Sequence, residues 1–138
     1  MVHSAETLPF PDETFDTVVW ADVIEHVVDA VSAVRQLHRV LKTGGCLVST
    51  TLNICSLRRR LLMLAGKFPW TSGGLCTEEG RLLDGGHLHY FTYGVLESLY
   101  RDIGFVRFER FGIGRLGRLH QLYPAVLSST VVLRCQRP

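Results

Sequence analysis

Hydrophobic and polar positions along this chain follow two different periods. Thr17 to Ala21 is a short run of β-branched and aromatic residues, closed by Phe15-Asp16 on one side and Asp22 on the other. Such a run predicts a parallel strand buried on both faces. From Asp29 onward Ala30, Ala33, Val34, Leu37, Val40 and Leu41 recur at spacings of three and four. That spacing predicts an amphipathic helix, with Asp29 as its cap and Gly44-Gly45 as its stop. Cys46 to Thr51 reads as a second strand, and the order strand, helix, strand implies a right-handed parallel crossover.

Leu57 to Ala65 has the pattern of one or two amphipathic helical turns, whereas Lys67 to Gly86 is glycine-rich and shows no clear period. An unstructured stretch of that length inside a compact domain is usually functional or mobile. Thr92 is placed to cap another helix, in which Val95, Leu96, Leu99, Tyr100 and Ile103 form the inward stripe and Gly104 ends it. Phe105 to Phe111 and Thr130 to Cys135 predict two further strands. The pattern is that of an α/β layer.

Composition narrows this picture. With 138 residues, 46% hydrophobic and 20% charged, the chain can build one core, so 1–138 is expected to be a single domain or part of one. No apolar run reaches the roughly 18 residues of a membrane span, and the first residues lack the order of a signal peptide. A cytoplasmic setting is the expectation. The widely spaced Cys46, Cys55, Cys76 and Cys135 read as reduced, structural thiols rather than metal ligands.

Charge is distributed unevenly. From Arg107 to the end six arginines face one acid, Glu109, so that segment carries +5; the total of +2 leaves −3 for the first 106 residues. The tail could meet an anion, or it could be a solvated face with ion pairs to the acidic front. Only Phe108, Phe111 and Tyr123 are interleaved with the arginines, so a nucleic acid is not the expected partner.

Several motifs occur together in a fixed order: Leu8-Pro9-Phe10, Val23-Ile24-Glu25-His26-Val27, Arg39-Val40-Leu41 with Gly44-Gly45, Thr51-Leu52-Asn53, and His87-Leu88-His89-Tyr90-Phe91-Thr92. In these the chain resembles the class I S-adenosylmethionine-dependent methyltransferases, closest to the methionine-biosynthesis and ubiquinone-type branch. The resemblance covers nearly the whole chain and implies the fourth to seventh strands of a partial Rossmann-like sheet with flanking helices. The last strand would then slot in antiparallel. The family's glycine-rich cofactor loop would lie upstream of Met1, and residues 54–90 would be a lid-like insertion.

The resemblance also implies a set of site residues. Ala21 and Asp22, at the end of the first strand, would face the methionine portion of S-adenosylmethionine; Asp22 also suits a solvated turn. Ser4 stands where the family carries an acid toward the adenine, with Ala5 beside it, and a solvated terminus is the other reading. His26 could take a proton from a hydroxyl acceptor, tuned by Glu25, or serve as a hydrogen-bonding cap. His89 and His87 are alternatives that could close over the acceptor with Tyr90, or lie on the exposed face of an extended segment. Their spacing could ligate a metal, but the sequence pattern offers no third ligand. Arg59 and Trp70 fall in the expected lid, where they would bind an acidic or flat acceptor or else belong to a surface helix.

Gly112-Ile113-Gly114-Arg115-Leu116-Gly117 fits a dinucleotide fingerprint. It is set aside because no Asp or Glu follows Glu109 to hold a ribose. Two function classes therefore stand. One is methyl transfer to a small molecule; the other is a non-catalytic remnant that acts as an interaction module. Without the first three strands, the edge of the first strand here would be exposed, and a homodimer or a complementary chain is expected to pair with it.

Overall fold

The computed structural model describes residues 4–69, 75–76, 82–83, 86–113 and 119–138. Strand β1 (Phe15–Ala21) leads to helix α1 (Ala30–Val40), and β2 (Leu41–Leu52) follows directly. The Asp29 carboxylate caps α1 by accepting from the Ser32 amide at 2.9 Å. Hydrogen bonds from the Ser32 hydroxyl and amide hold that carboxyl below its usual range. Leu41 turns extended and ends the helix there, earlier than Gly44-Gly45 would. The pairing of β1 with β2 shifts at this point, from Phe15 opposite Leu41 to Thr17 opposite Cys46. Gly44, at φ 79°, takes up the irregularity.

Helix α2 (Leu57–Leu64) and the short strands β3 (Leu75–Cys76) and β4 (Leu82–Leu83) precede α3 (Tyr93–Ile103) and β5 (Val106–Ile113). The small helices α4 (Leu119–Leu122) and α5 (Pro124–Leu127) lead to β6 (Thr130–Gln136). Four strands form a mixed sheet in the order β1-β2-β6-β5. β1 and β2 are parallel, and β6 runs antiparallel between β2 and β5. This is the α/β arrangement expected from the sequence, with the last strand inserted antiparallel.

Register sorts the sheet's residues onto two faces. Leu47 lies opposite Cys135, Ser49 opposite Leu133 and Thr51 opposite Val131, and all six are buried. Against this face pack α1 and α3, contributing Val34, Leu37, Leu96 and Tyr100 to one core. Each such aliphatic side chain removed from water stabilises the fold by about 1.5–3 kcal/mol. The other face is more open, with Arg134 donating to Cys46 Sγ and to Glu109.

β1 differs from expectation. Only Trp20 is fully buried, while Val19 is 69% exposed. The strand lies at a sheet edge with one face turned to solvent, because no described element covers it.

In α3 the Thr92 hydroxyl accepts from Val95 N, and Gly104 at φ 116° ends the helix with Phe105 N–H bonded to the Tyr100 carbonyl. Tyr93, Leu96 and Tyr100 are its buried residues, and Val95 faces out. The helix is rotated from the expected stripe because Tyr93 is drawn in: its hydroxyl reaches the Phe111 and Thr130 carbonyls and accepts from Val132 N.

Among the described residues of the basic tail, three of the four arginines form ion pairs. Arg137 bonds Glu13 at 3.0 Å and Arg134 bonds Glu109 at 2.8 Å, while Arg110 and Arg101 both reach Glu97. Burial opposes ionisation of Glu97, but the hydrogen bonds and charges of Arg110 and Arg101 outweigh it and hold the carboxyl below its ordinary range. Burial instead drives the Cys135 thiol up to about 12. Among the described residues Cys46, Cys55 and Cys135 are free thiols. No described helix is long and apolar enough to cross a membrane.

His38 packs edge-on to Phe105 at 4.9 Å, with a buried Nε2 that has no hydrogen-bond partner. Burial, and then the Arg137 charge, push its pKa below 6.5. A histidine depressed in the folded state stabilises the fold above its unfolded pKa, and that stability is lost as pH falls toward the folded pKa. The urea midpoint should therefore fall on acidification from about pH 7.5 to about pH 5.5. In His38→Gln the part of that fall due to this residue should disappear.

Candidate functional site

The site is built where β1 ends. Asp22 leaves the strand at φ 53°, a left-handed conformation that is costly for most non-glycine residues and better tolerated by Asp. Two bonds hold it there. Its N–H donates to the Thr50 carbonyl at 3.0 Å, and its carboxylate accepts from the Thr50 hydroxyl at 3.0 Å. Ala21 beside it is exposed. Both residues therefore sit at the carboxyl end of β1, beside Thr50 of the parallel β2, the usual place for ligands in such sheets.

The chain then turns inward. Ile24 is fully buried and Glu25 is 2% exposed, while His26 N–H closes the turn on the Val23 carbonyl at 2.9 Å. The Glu25 carbonyl accepts from both Leu88 N at 2.7 Å and His89 N at 3.2 Å, which ties a segment sixty residues away to this turn. Two histidine side chains reinforce the tie. His26 Nδ1–H donates to the Gly86 carbonyl at 3.3 Å, and His89 Nε2–H donates to the Val27 carbonyl at 3.0 Å. The His26 and His87 rings lie 4.6 Å apart. Of the three histidines singled out by sequence, His26 and His87 bring their rings together beside Glu25, and His89 reaches it through its backbone.

Glu25 also reaches the core electrostatically. Tyr100 donates to Ser49 Oγ at 2.7 Å. Burial above all pushes its hydroxyl well above the usual tyrosine range, with smaller contributions from Cys135 and Glu25, and the bond to Ser49 opposes the rise.

Tyr90, on the same segment as His87 and His89, lines an apolar cleft of about 570 Å³ with Ile54, Met63, Lys67, Phe68 and Pro69. A second cleft of about 520 Å³ runs along α2, past Leu57, Arg58, Leu61, Leu62 and Leu127. Arg59 also borders this cleft, but it is 7% exposed, and its guanidinium donates to the Asn53 carbonyl at 2.7 Å and the Ser129 carbonyl at 3.2 Å. These contacts fix the end of β2. Trp70 lies outside the described residues.

Ser4 and Ala5 stand apart from the mouth. The Ser4 hydroxyl accepts from Glu6 N and donates to Glu6 Oε2, and Glu6 Oε1 in turn accepts from Asp29 N. Ala5 packs against the core. Among the described residues no hydrogen bond joins either to Ala21 or Asp22. Of the apparent dinucleotide motif, Gly112 lies within β5, where its amide pairs with the Gln121 side chain in both directions. A Cβ there would collide with the His120 carbonyl, so close packing accounts for this glycine. Gly114 to Gly117 lie outside the described residues.

Comparison with known proteins places this geometry. Residues 1–49 match the model of a methyltransferase domain. Over 125 residues, 84% of this chain, it is 31% identical to a ubiquinone/menaquinone biosynthesis C-methyltransferase UbiE from Desulfotalea psychrophila. A relative of the same name from Geobacter sulfurreducens is 32% identical over 83% of the chain. A solved SAM-dependent methyltransferase from Thermotoga maritima superimposes with a TM-score of 0.67 at 21% identity, covering 99% of this chain and 62% of that one.

The chain belongs to the class I S-adenosylmethionine-dependent methyltransferase family. It spans about half the length of the curated relatives it matches, 50% and 48% in these two cases. S-adenosylmethionine is the cofactor of this methyltransferase family. The residues present fit one end of it: a small exposed Ala21 and a carboxylate on a strained Asp22 at the strand ends. Sequence reasoning missed Glu25 as a member of the cluster in its own right. The signal was its position one residue before His26, but its proximity to His87 depends on a contact between segments far apart in sequence.

The placement of Arg59 yields a test. Arg59→Leu removes the charged donor from the buried Asn53 carbonyl and the part-buried Ser129 carbonyl, each of which keeps one backbone donor, and should cost about 1–3 kcal/mol of stability with no acceptor present. Urea denaturation of the two proteins measures it.

Proposed function

We propose that this chain supplies the acceptor side, and part of the donor side, of S-adenosylmethionine-dependent methyl transfer to a flat, apolar small molecule carrying a ring hydroxyl. One observation carries this reading. The 86–91 segment is pinned to the Glu25 carbonyl, presents His87 beside His26 and ties the His89 ring to the Val27 carbonyl, while its Tyr90 lines the apolar cleft. A proton acceptor and an apolar binding wall thus share one support. The name of the relatives, ubiquinone/menaquinone biosynthesis C-methyltransferase, supports a quinol-type acceptor.

S-adenosylmethionine supplies an electrophilic methyl group on a sulfonium. Transfer is an in-line displacement, so the chain's main task is to hold the acceptor in position. Ala21 and Asp22 would hold the methionine end, with the Thr50 bonds keeping Asp22 in place. His26 and His89 each commit one ring nitrogen to a carbonyl, and the other nitrogen takes the hydroxyl proton of the acceptor. Loss of that proton raises electron density on the ring carbon that is methylated. Residues 54–90 act as the lid: the exposed Leu61, Phe68 and Tyr90 shield the acceptor from water.

A second reading, an interaction module, is favoured by β1. That strand lies at the sheet edge with Val19 69% exposed, and further chain would pair there, from a second copy or a complementary protein.

Calorimetric titration of the purified chain with S-adenosylhomocysteine separates the two readings. The methyltransferase reading predicts saturable binding near the micromolar range, about −8 kcal/mol, weakened about tenfold by Asp22→Ala. No heat at millimolar ligand would leave the interaction module. With a naphthoquinol acceptor, Tyr90→Ala should raise KM about tenfold and leave kcat nearly unchanged, as expected when binding shared by ground and transition states is lost.

A further inference from the structure

The one buried carboxylate beside the histidines needs an explanation. Glu25 is 2% exposed, and its Oε2 is enclosed without a hydrogen-bond partner. Ionised carboxylates are rarely left so, because the cost of losing water must be met by a cation or by donors. Among the described residues no salt bridge reaches Glu25. Two imidazoles stand in front of it instead. One ligand atom from each of Glu25, His26 and His87 lies within 4.8 Å of the other two.

We propose that Glu25, His26 and His87 bind a divalent transition-metal ion. Two imidazole nitrogens and one carboxylate oxygen suit zinc, iron or nickel, and three protein ligands leave coordination positions open for a small molecule. Ligands held about 2.0–2.1 Å from a tetrahedral ion stand about 3.4 Å apart. Contraction from 4.8 Å to that spacing is within reach of ring rotation, because His26 is exposed and His87 half-buried.

The surrounding bonds are those a metal site needs. His26 Nδ1–H donates to the Gly86 carbonyl, which fixes the tautomer and leaves Nε2 with the lone pair for the ion. The Glu25 carbonyl collects Leu88 N and His89 N, so the ligand-bearing segments are joined by backbone bonds just after His87. The ion would supply a positive charge to the Glu25 carboxylate, whose Oε2 has no hydrogen-bond partner. A hydroxyl of the acceptor could occupy an open position and lose its proton more readily there. His26 then acts as a ligand, and His89, whose ring is tied to Val27, is left to take the proton.

The site stands whether or not this chain transfers methyl groups, so binding of the metal alone tests it. Zn²⁺ is titrated into the reduced, purified chain in competition with a chromophoric chelator, and Co²⁺ is added separately for its visible spectrum. The proposal expects one equivalent bound, with affinity reduced at least about tenfold in His87→Ala and in His26→Ala. Both changes lie on exposed or half-exposed rings, so the apo thermal midpoint should stay near that of the parent. Glu25→Gln should also lose the ion while removing the buried charge. The Co²⁺ spectrum should lack the intense near-ultraviolet bands of thiolate ligation. Absence of binding, undiminished binding in His87→Ala, or thiolate bands that vanish in Cys55→Ser would each overturn the proposal.

Discussion

The structure depends on β6 being held antiparallel between β2 and β5. Hydrogen bonded on both sides, it places Val131, Leu133 and Cys135 on the same face as Leu47, Ser49 and Thr51 and so completes the surface on which α1 and α3 pack. Its approach also fixes the end of β2. Asn53, fully buried, donates through Nδ2 to the Ala125 and Ser128 carbonyls and through its backbone to Ser129, all just before β6. A single amide side chain thereby binds the carboxyl end of β2 to the return path of the chain. Loss of such a partner leaves several buried groups unpaired at once, which is how small changes in a core become large ones in stability.

From that fixed end the functional geometry follows. Asn53 bridges Phe91, and Phe91 closes the segment that Glu25 anchors at Leu88 and His89. The 86–91 stretch is thus held from two directions, by the turn after β1 and by the end of β2. Histidines on a mobile loop would spend much of their time elsewhere; here their backbone is placed before any ligand arrives, which lowers the entropic cost of binding. The strained Asp22 belongs to the same economy, kept left-handed by two bonds to Thr50. Strain of this kind collects where a side chain must be aimed.

Much of the fold was legible in local pattern. The three-and-four spacing after Asp29, the Thr92 cap and the Gly104 terminator each correspond to a helix boundary, because each rests on local backbone physics. Burial of β1 was not, since a strand's apolar run shows only that both faces can be covered, and Val19 here faces solvent. Gly44-Gly45 served a register shift instead of a helix end because Leu41 was already committed to the sheet. The short helices α4 and α5 carry too few residues for a period to be read. In the site, His26, His87 and His89 were recognisable as candidates, yet their convergence on Glu25 spans sixty residues and no spacing rule reports it. Arg59 followed the lid pattern in sequence, and its donors go to Asn53 and Ser129, contacts visible only once β6 is in place.

The proposed ligand site lies at the end of β1, facing the 86–91 segment. Hydrogen exchange read by mass spectrometry, with and without saturating S-adenosylhomocysteine, tests it most directly. Ligand bound there should slow exchange in peptides covering residues 20–27 and 86–91 and leave β5 unchanged. Protection confined to β5 and residues 114–118, or no change at residues 20–27, would rule that placement out.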